Sequence, residues 1–377
     1  MLNRFPLKAA YAASVLAMLA GNALAADGWK VRFPLSGTLG GEIAAPIGAG
    51  GLYGQVSVTQ LELDKLAGPD GNNFQLPSSG TIPVPLASVN PALGTRSASY
   101  SGVADVGFKQ SQTQVNAVIG YLSNEEYNGG RLTAAVNIPI VSINRTTTLT
   151  GATPTLSAIT PSLTGSGLSG AQAAGIQAST QASFSPKYQA GLGTQGATLS
   201  GTQSGIGDIE VTGGWVYQDP VVKVVAATTL ALPTAQWDPV TGLNLGYGKF
   251  YTLRPSVAVA YNATDAWTLG ARTSLAFNTR NTDNNVKSGN FYGIDLAAAY
   301  RTSVGVVGPH LVFVNQYEDD DGGKFGSNRF STSGAGVFFA TKIPSVDLGL
   351  NLSYMQSFDA KNALSGSFVQ IRLTKQF

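Results

Sequence analysis

The sequence predicts an all-β fold, an antiparallel transmembrane β-barrel of about twelve strands, with fourteen as the alternative. Three observations predict it. Charged residues make up 12% of the 377 positions while hydrophobic residues stand at 43%, and a soluble chain typically carries about 25% charge. Strand-length segments alternate between apolar and polar side chains. The breaks between them are very short at one end of the strands and long and polar at the other, which is the pattern of a membrane barrel. Low charge with ordinary hydrophobicity argues against both a disordered chain and a soluble enzyme with a charged shell.

The opening residues carry Arg4 and Lys8, then an apolar core over 9–20, then Ala23-Leu24-Ala25. This reads as a signal peptide over 1–25, because the apolar core is shorter than the roughly 20 residues a spanning helix needs. Export to the bacterial outer membrane after cleavage is the expected destination. Residues 26–50 contain Pro34, Pro46, Gly48 and Gly50 and are expected to thread into the lumen as a plug. The barrel then occupies 51–377.

Three strands are expected upstream, at 52–65, 106–122 and 131–141. Nine follow, at 208–217, 221–232, 250–261, 267–278, 290–300, 306–317, 329–341, 346–358 and 366–377. An even number puts both termini on the same side. A fourteen-strand count needs another hairpin within 33–50 or the long loop. In 267–278 one face holds Trp267, Leu269, Ala271, Leu275 and Phe277, and the other Thr268, Gly270, Arg272, Ser274 and Asn278. Aromatics gather at strand ends, as in Tyr217, Tyr251, Tyr261, Trp267, Tyr300 and Tyr317, where a membrane barrel carries its two girdles. The last strand ends Val369, Ile371, Leu373, Phe377 on one face. A terminal aromatic closing an amphipathic strand resembles the signal by which outer-membrane proteins engage the barrel assembly machinery, so Phe377 is the expected contact.

Between Arg145 and Asp208 the only charged residue is Lys187. Ser, Thr, Gly, Ala and Gln dominate 146–205, with too little apolar area to pack alone. A mobile extracellular loop is the expected state.

The residue inventory limits the chemistry. With no cysteine and one histidine, His310, disulfides, thiol nucleophiles and two-histidine metal sites are excluded. The net charge of +2 gives no footprint for nucleic acid. Asp208 and Glu210 lie two apart and face the same way, yet no base, orienter and nucleophile converge on them. No catalytic residue, metal or cofactor is assigned.

If the apolar faces meet lipid, the opposite faces line the lumen. Asp208, Glu210, Lys223, Arg254, Arg272, Asp295, Asp347 and Arg372 then point inward, with Gln110, Gln112, Gln114 and Asn116 from an upstream strand. Twelve strands lie between a filled barrel of eight and an open porin of sixteen. Inward charges of opposite sign are therefore expected to pair and brace the wall, the alternative being a solute-selecting constriction. Pro139, Pro255 and Pro309 each remove a ladder donor within a strand and mark either ordinary bulges or kinks that open a lateral gap. The run Glu318-Asp319-Asp320-Asp321 lacks EF-hand spacing and reads as a solvated loop.

From 205 onward the chain carries GIGDIEVTGGW (205–215), LALPT (230–234), RPSVAVAYN (254–262), NTRNTDNNVKSGNFYGIDLAAAY (278–300) and NQYEDDDGG (315–323), with GAGGLYGQVSV (48–58) upstream. In order and spacing these resemble the MetA-pathway of phenol degradation family of outer-membrane proteins. The Ser/Thr-rich insert departs from that pattern. The resemblance implies a channel for small hydrophobic, aromatic solutes, similar in role to the fatty-acid and aromatic-hydrocarbon channels of Gram-negative bacteria, with outer-membrane lipid and lipopolysaccharide as surroundings. The alternatives are a general diffusion porin and a structural or adhesive surface barrel.

Overall fold

The computed structural model describes residues 31–33, 39–45, 47–87, 89, 91–164, 167–238, 243–322 and 329–377. The expected signal peptide lies outside the described residues. In chain order the strands are β1 (Gly51–Ala67), β2 (Gln75–Pro85), β3 (Thr95–Tyr127), β4 (Gly130–Thr150), β5 (Gly201–Ile206), β6 (Glu210–Gln218) and β7 (Val222–Ala231). They continue with β8 (Thr252–Asn262), β9 (Trp267–Asn278), β10 (Phe291–Arg301), β11 (Val306–Gln316), β12 (Ser331–Ile343), β13 (Leu348–Lys361) and β14 (Ala363–Gln376). Two helices, α1 (Leu39–Ile43) and α2 (Gly170–Thr198), complete the list. The chain divides into two compact units. Among described residues one comprises 73–107 and 146–200, the other 31–72, 108–145 and 201–377.

The larger unit is a barrel. Its ladders run β3-β1-β14-β13-β12-β11-β10-β9-β8-β7-β6-β4, and a β3–β4 pairing closes the ring at twelve strands. β2 and β5 hydrogen-bond outside that ring, so the expected twelve is met and all twelve expected segments fall on ring strands. Alternation decides which way the wall faces. Leu253, Val257, Val259 and Tyr261 of β8 are exposed, while Thr252 and Arg254 are buried. A soluble protein would show the reverse, so the outer surface is built for hydrocarbon and the backbone is satisfied by closure.

Tight turns join strands at one end. Asn128 and Gly129, at φ +52° and +76°, occupy the two-residue hairpin between β3 and β4 with the left-handed geometry of a type I′ turn. Asp219 caps the β6–β7 turn by accepting from the amides of Val221 and Val222, both at 2.7 Å. The other end carries the long connections at 232–251, 279–290 and 317–330. The β13–β14 connection is the exception there, closing on Asn362 alone at φ +47°.

The smaller unit corrects the expected mobile loop at 146–205. Residues 170–198 form α2, capped by a reciprocal pair in which Gln172 N donates to Ser169 Oγ and Ser169 N to Gln172 Oε1. Phe184, Tyr188 and Leu192 are buried at every fourth position. Tyr100 of β3 lies 5.0 Å from the Phe184 ring and 5.9 Å from that of Tyr188. Glutamine amides then replace the missing charge. Gln181 accepts from Leu156 N at 2.8 Å and donates to the Pro154 carbonyl at 3.1 Å. Gln177 does the same for Ile159 N at 3.2 Å and the Ser157 carbonyl at 3.0 Å. Each side chain thus acts as a one-residue β partner for the extended segment over 154–159. On its other side that segment pairs with β3, Ser157 N donating to the Ser99 carbonyl at 2.8 Å.

Candidate functional site: the barrel lumen

The lumen holds a cavity of about 1420 Å3 in the larger unit. Its polar groups come from the alternation, which sends Ser, Thr, Asn, Gln and the charged residues inward among apolar ones. Strand register does the pairing. Arg272 on β9 sits directly opposite Asp295 on β10, and their charges meet at 2.7 Å. Arg254 reaches across β7 to Glu210 at 2.8 Å, while its Nη1 donates to the Arg32 carbonyl at 2.6 Å. Arg254 and Asp295 are buried, where removing the partner is far costlier than in water.

Other wall charges hold the N-terminal segment. Arg32 Nη2 lies 2.8 Å from Asp208 Oδ2 and 2.9 Å from the Gly248 carbonyl, with the guanidinium 4.1 Å from the Phe250 ring centre. Asp208 also accepts from the amides of Ala235 at 3.1 Å and Tyr247 at 3.2 Å. Arg372 pairs with Glu42. Lys223 Nζ donates to the carbonyls of Glu42 and Ala45, at 2.8 Å to the latter. Leu39 and Ile43 of α1 are buried among Ala260, Ala297, Ala299 and Phe338. Residue 33 is level with Gly293, near the long-loop end of β10, and Gly48 with Gln376 at the opposite end.

Seven of the eight expected inward charges therefore engage a described partner within the lumen. Asp347 does not. It adopts φ +50° in the turn before β13 and pairs at 2.5 Å with Lys342, both exposed. Asp208 is buried as expected, yet it stands in the break between β5 and β6 rather than on a strand. Arg32 and Glu42 were missed as partners because residues 31–45 show no strand alternation to orient them.

The prolines coincide with ladder interruptions of two kinds. At Pro255 the β8–β9 ladder skips from Leu253↔Phe277 to Ser256↔Ser274, and at Pro309 the β10–β11 ladder skips from Ala297↔His310 to Tyr300↔Val307. In both the register is the same on either side, so each is a local loss of a donor. Pro139 marks a change of partner. β4 pairs with β6 up to Asn137↔Glu210 and with β5 from Ile140↔Ile206 onward. Val141, Ile143, Ala235, Leu243 and Leu245 form a buried cluster beyond that junction.

The acidic run is spent on neighbours. Glu318 pairs with Lys287 at 3.4 Å, Asp319 with Arg329 at 2.6 Å and Asp321 with Arg280. Asp320 accepts from Gly289 N at 2.8 Å and Gln316 Nε2 at 2.5 Å, and burial pushes its carboxyl above the usual range. Among the described residues no cluster of three or more metal-ligating side chains occurs. His310 is buried on β11 with Nε2 donating to the Tyr354 carbonyl at 3.2 Å.

Two apolar and amide features share the rest of the lumen. Toward the long-loop end Phe291, Val312, Val314, Phe330, Met355 and Phe368 form a buried cluster with Phe33 and Leu61 packed against it. Along β3, Arg145 Nε donates to Gln110 at 2.8 Å, Gln110 to Gln112 at 3.0 Å, Gln112 to Gln114 at 3.3 Å and Gln114 to Asn116 at 3.0 Å.

The fold is found among solved outer-membrane structures. The COG4313 outer membrane channel from Pseudomonas putida F1 superposes with a TM-score of 0.59 at 12% identity, covering 88% of this chain and 97% of that one. The CymD monoaromatic hydrocarbon channel aligns at TM-score 0.37 and 13% identity over 88% and 89% of the two chains. A Pseudomonas aeruginosa FadL homologue aligns at TM-score 0.37 and 9% identity over 87% and 90%. The last two are too dissimilar to carry an argument. No curated protein matches the sequence. The family model described as "Putative MetA-pathway of phenol degradation" matches residues 94–373. That span covers nearly three quarters of the chain, from the first residues of β3 into the last strand. The chain belongs to this phenol-degradation family of β-barrel proteins.

Proposed function

We propose that this protein is an outer-membrane channel for small hydrophobic, aromatic compounds, with residues 26–50 as its plug. The observation that carries this reading is the apolar cluster around Phe330, Met355 and Phe368, which lines the lumen together with paired charges. An aqueous pore has no use for aromatic and aliphatic side chains on its inner wall, whereas a hydrophobic solute needs them to leave water. The seven engaged wall charges support bracing and plug retention rather than ion selection. The family's description points to the same class of compound. A signal peptide over 1–25 and an assembly-machinery contact at Phe377 complete the reading. Phe377 is 76% exposed at the short-turn end of the wall, as a docking aromatic must be. No catalytic step is assigned to any residue.

Planar-bilayer conductance of the purified, folded protein tests this. Small or absent steps together with uptake of aromatic probes into cells expressing the protein are expected. Stable, large steps in simple salt would instead make it a diffusion pore and remove the plug.

A further inference from the structure

Resting on the channel reading, we infer that the lumen wall formed by β13, β14, β1 and β3 carries a subsite for a neutral, singly hydroxylated aromatic molecule. Its ring lies on Leu61, Phe368 and Met355, and its hydroxyl on the amides of Gln112 and Gln114. Among the described residues α1 packs against residues of β8, β10 and β12. Gln112 and Gln114 line the cavity and are half-buried, so their amides face it.

Register assembles the subsite from adjacent strands. Gln112 on β3 stands opposite Leu61 on β1, Leu61 opposite Phe368 on β14, and Phe368 opposite Met355 on β13. One row lower, two residues along each strand, Gln114 stands opposite Thr59 and Thr59 opposite Gln370. Gln112 thus ends the apolar row and Gln114 the row about 7 Å below it, a separation that one hydroxylated benzene ring spans.

The donor and acceptor count selects the hydroxyl. A glutamine amide has two N–H groups and two acceptor positions, and within the column each interior amide spends one of each on its neighbours. One donor and one acceptor remain per residue. A hydroxyl uses both, a carboxylate only the donor, an ammonium only the acceptor and a hydrocarbon neither. The column runs in one donor direction from Arg145, which fixes the amides before a solute arrives. An independent observation lies in the row below. Gln370 is 2% exposed, its Nε2 donates to Thr59 Oγ1 at 2.9 Å, and its Oε1 has no partner. That oxygen is a buried, unpaired acceptor in the lower row, with Thr59 standing between it and Gln114.

Isothermal titration of the protein purified from membranes of expressing cells, with phenol, toluene and benzoate as separate probes, tests the inference. Phenol is expected to bind at least about fivefold more tightly than either of the others. The near-isosteric double variant Gln112→Met, Gln114→Met is expected to erase that preference by weakening phenol alone. The wild-type comparison needs no variant and decides the matter even where the double variant misfolds. Equal affinity for phenol and toluene, or a preference that survives in a folded double variant, overturns the subsite and leaves the channel reading intact. Failure of the folded protein to bind any of the three probes overturns both.

Discussion

Arg32 and Asp208 stand 176 positions apart and meet in an ion pair of 2.8 Å, with side chains only 2% and 6% exposed. The pair joins the N-terminal segment to the junction where β4 changes partner from β6 to β5. Removing the arginine leaves Asp208 buried with two backbone donors and no counter-charge, a loss of about 3–5 kcal/mol for pairs of this kind. The variant Arg32→Met is therefore expected to release residues 31–45 and raise single-channel conductance above wild type. Arg32→Met with Asp208→Leu should recover part of the stability, because no lone charge remains. Unchanged conductance in the folded single variant would count against a plug.

Arg272 and Asp295 brace the wall as a cross-strand ion pair at 2.7 Å. Each faces the other across one rung of the β9–β10 ladder, so their attraction is set by register rather than by a flexible reach. Arg272→Met is expected to lower thermal stability by several kcal/mol, about the cost of orphaning a buried partner. Adding Asp295→Leu should restore most of it. Heat-modifiability on gels reads the barrel's melting directly. If the charges select solutes, the double variant will instead retain low stability demands but change the preference among charged probes.

Much of the barrel was legible because a wall between lipid and lumen must alternate at every step, and alternation is a property of adjacent residues. Trp267, Leu269 and Phe277 reveal one face of β9, and Arg272 and Ser274 the other, without any knowledge of neighbours. The pairing of Arg272 with Asp295 follows once β9 and β10 are a hairpin. Arg32 and Glu42 had no such guide, since an irregular segment takes its orientation from what surrounds it. α2 escaped for a different reason. Gly175, Gly191, Gly193, Gly196 and Pro186 all disfavour a helix, and tertiary packing overrides them. The four-residue spacing of Phe184, Tyr188 and Leu192 was the available signal. β2 was hidden by Pro77, Pro83 and Pro85, which read as a loop and are tolerated on a strand paired on one side only.

In the smaller unit, Gln177 and Gln181 together make four hydrogen bonds to the backbone over 154–159. At about 1 kcal/mol net for each, replacing both by alanine should loosen that segment by a few kcal/mol. Faster cleavage within 151–165 by an added protease is the expected result, with the barrel's heat-modifiability unchanged. Equal cleavage rates in wild type and variant would show that the segment is held by β3 alone.

Asp219 supplies a pH-dependent contribution at the short-turn end. Its carboxyl is held below the usual range by the amide of Val222 first, then by the Tyr217 hydroxyl and the amide of Val221. A depressed carboxylate stabilises the fold above its unfolded value, about 3.9, and loses that contribution as pH falls through its folded value. Protection of the Val221 and Val222 amides, corrected for intrinsic exchange, should therefore hold constant from neutral pH down to about 4 and decline below it. Asp219→Asn keeps an acceptor but cannot titrate, so its protection should be lower at neutral pH and flat through the acid range. A decline of the same size in both proteins would place the titrating group elsewhere.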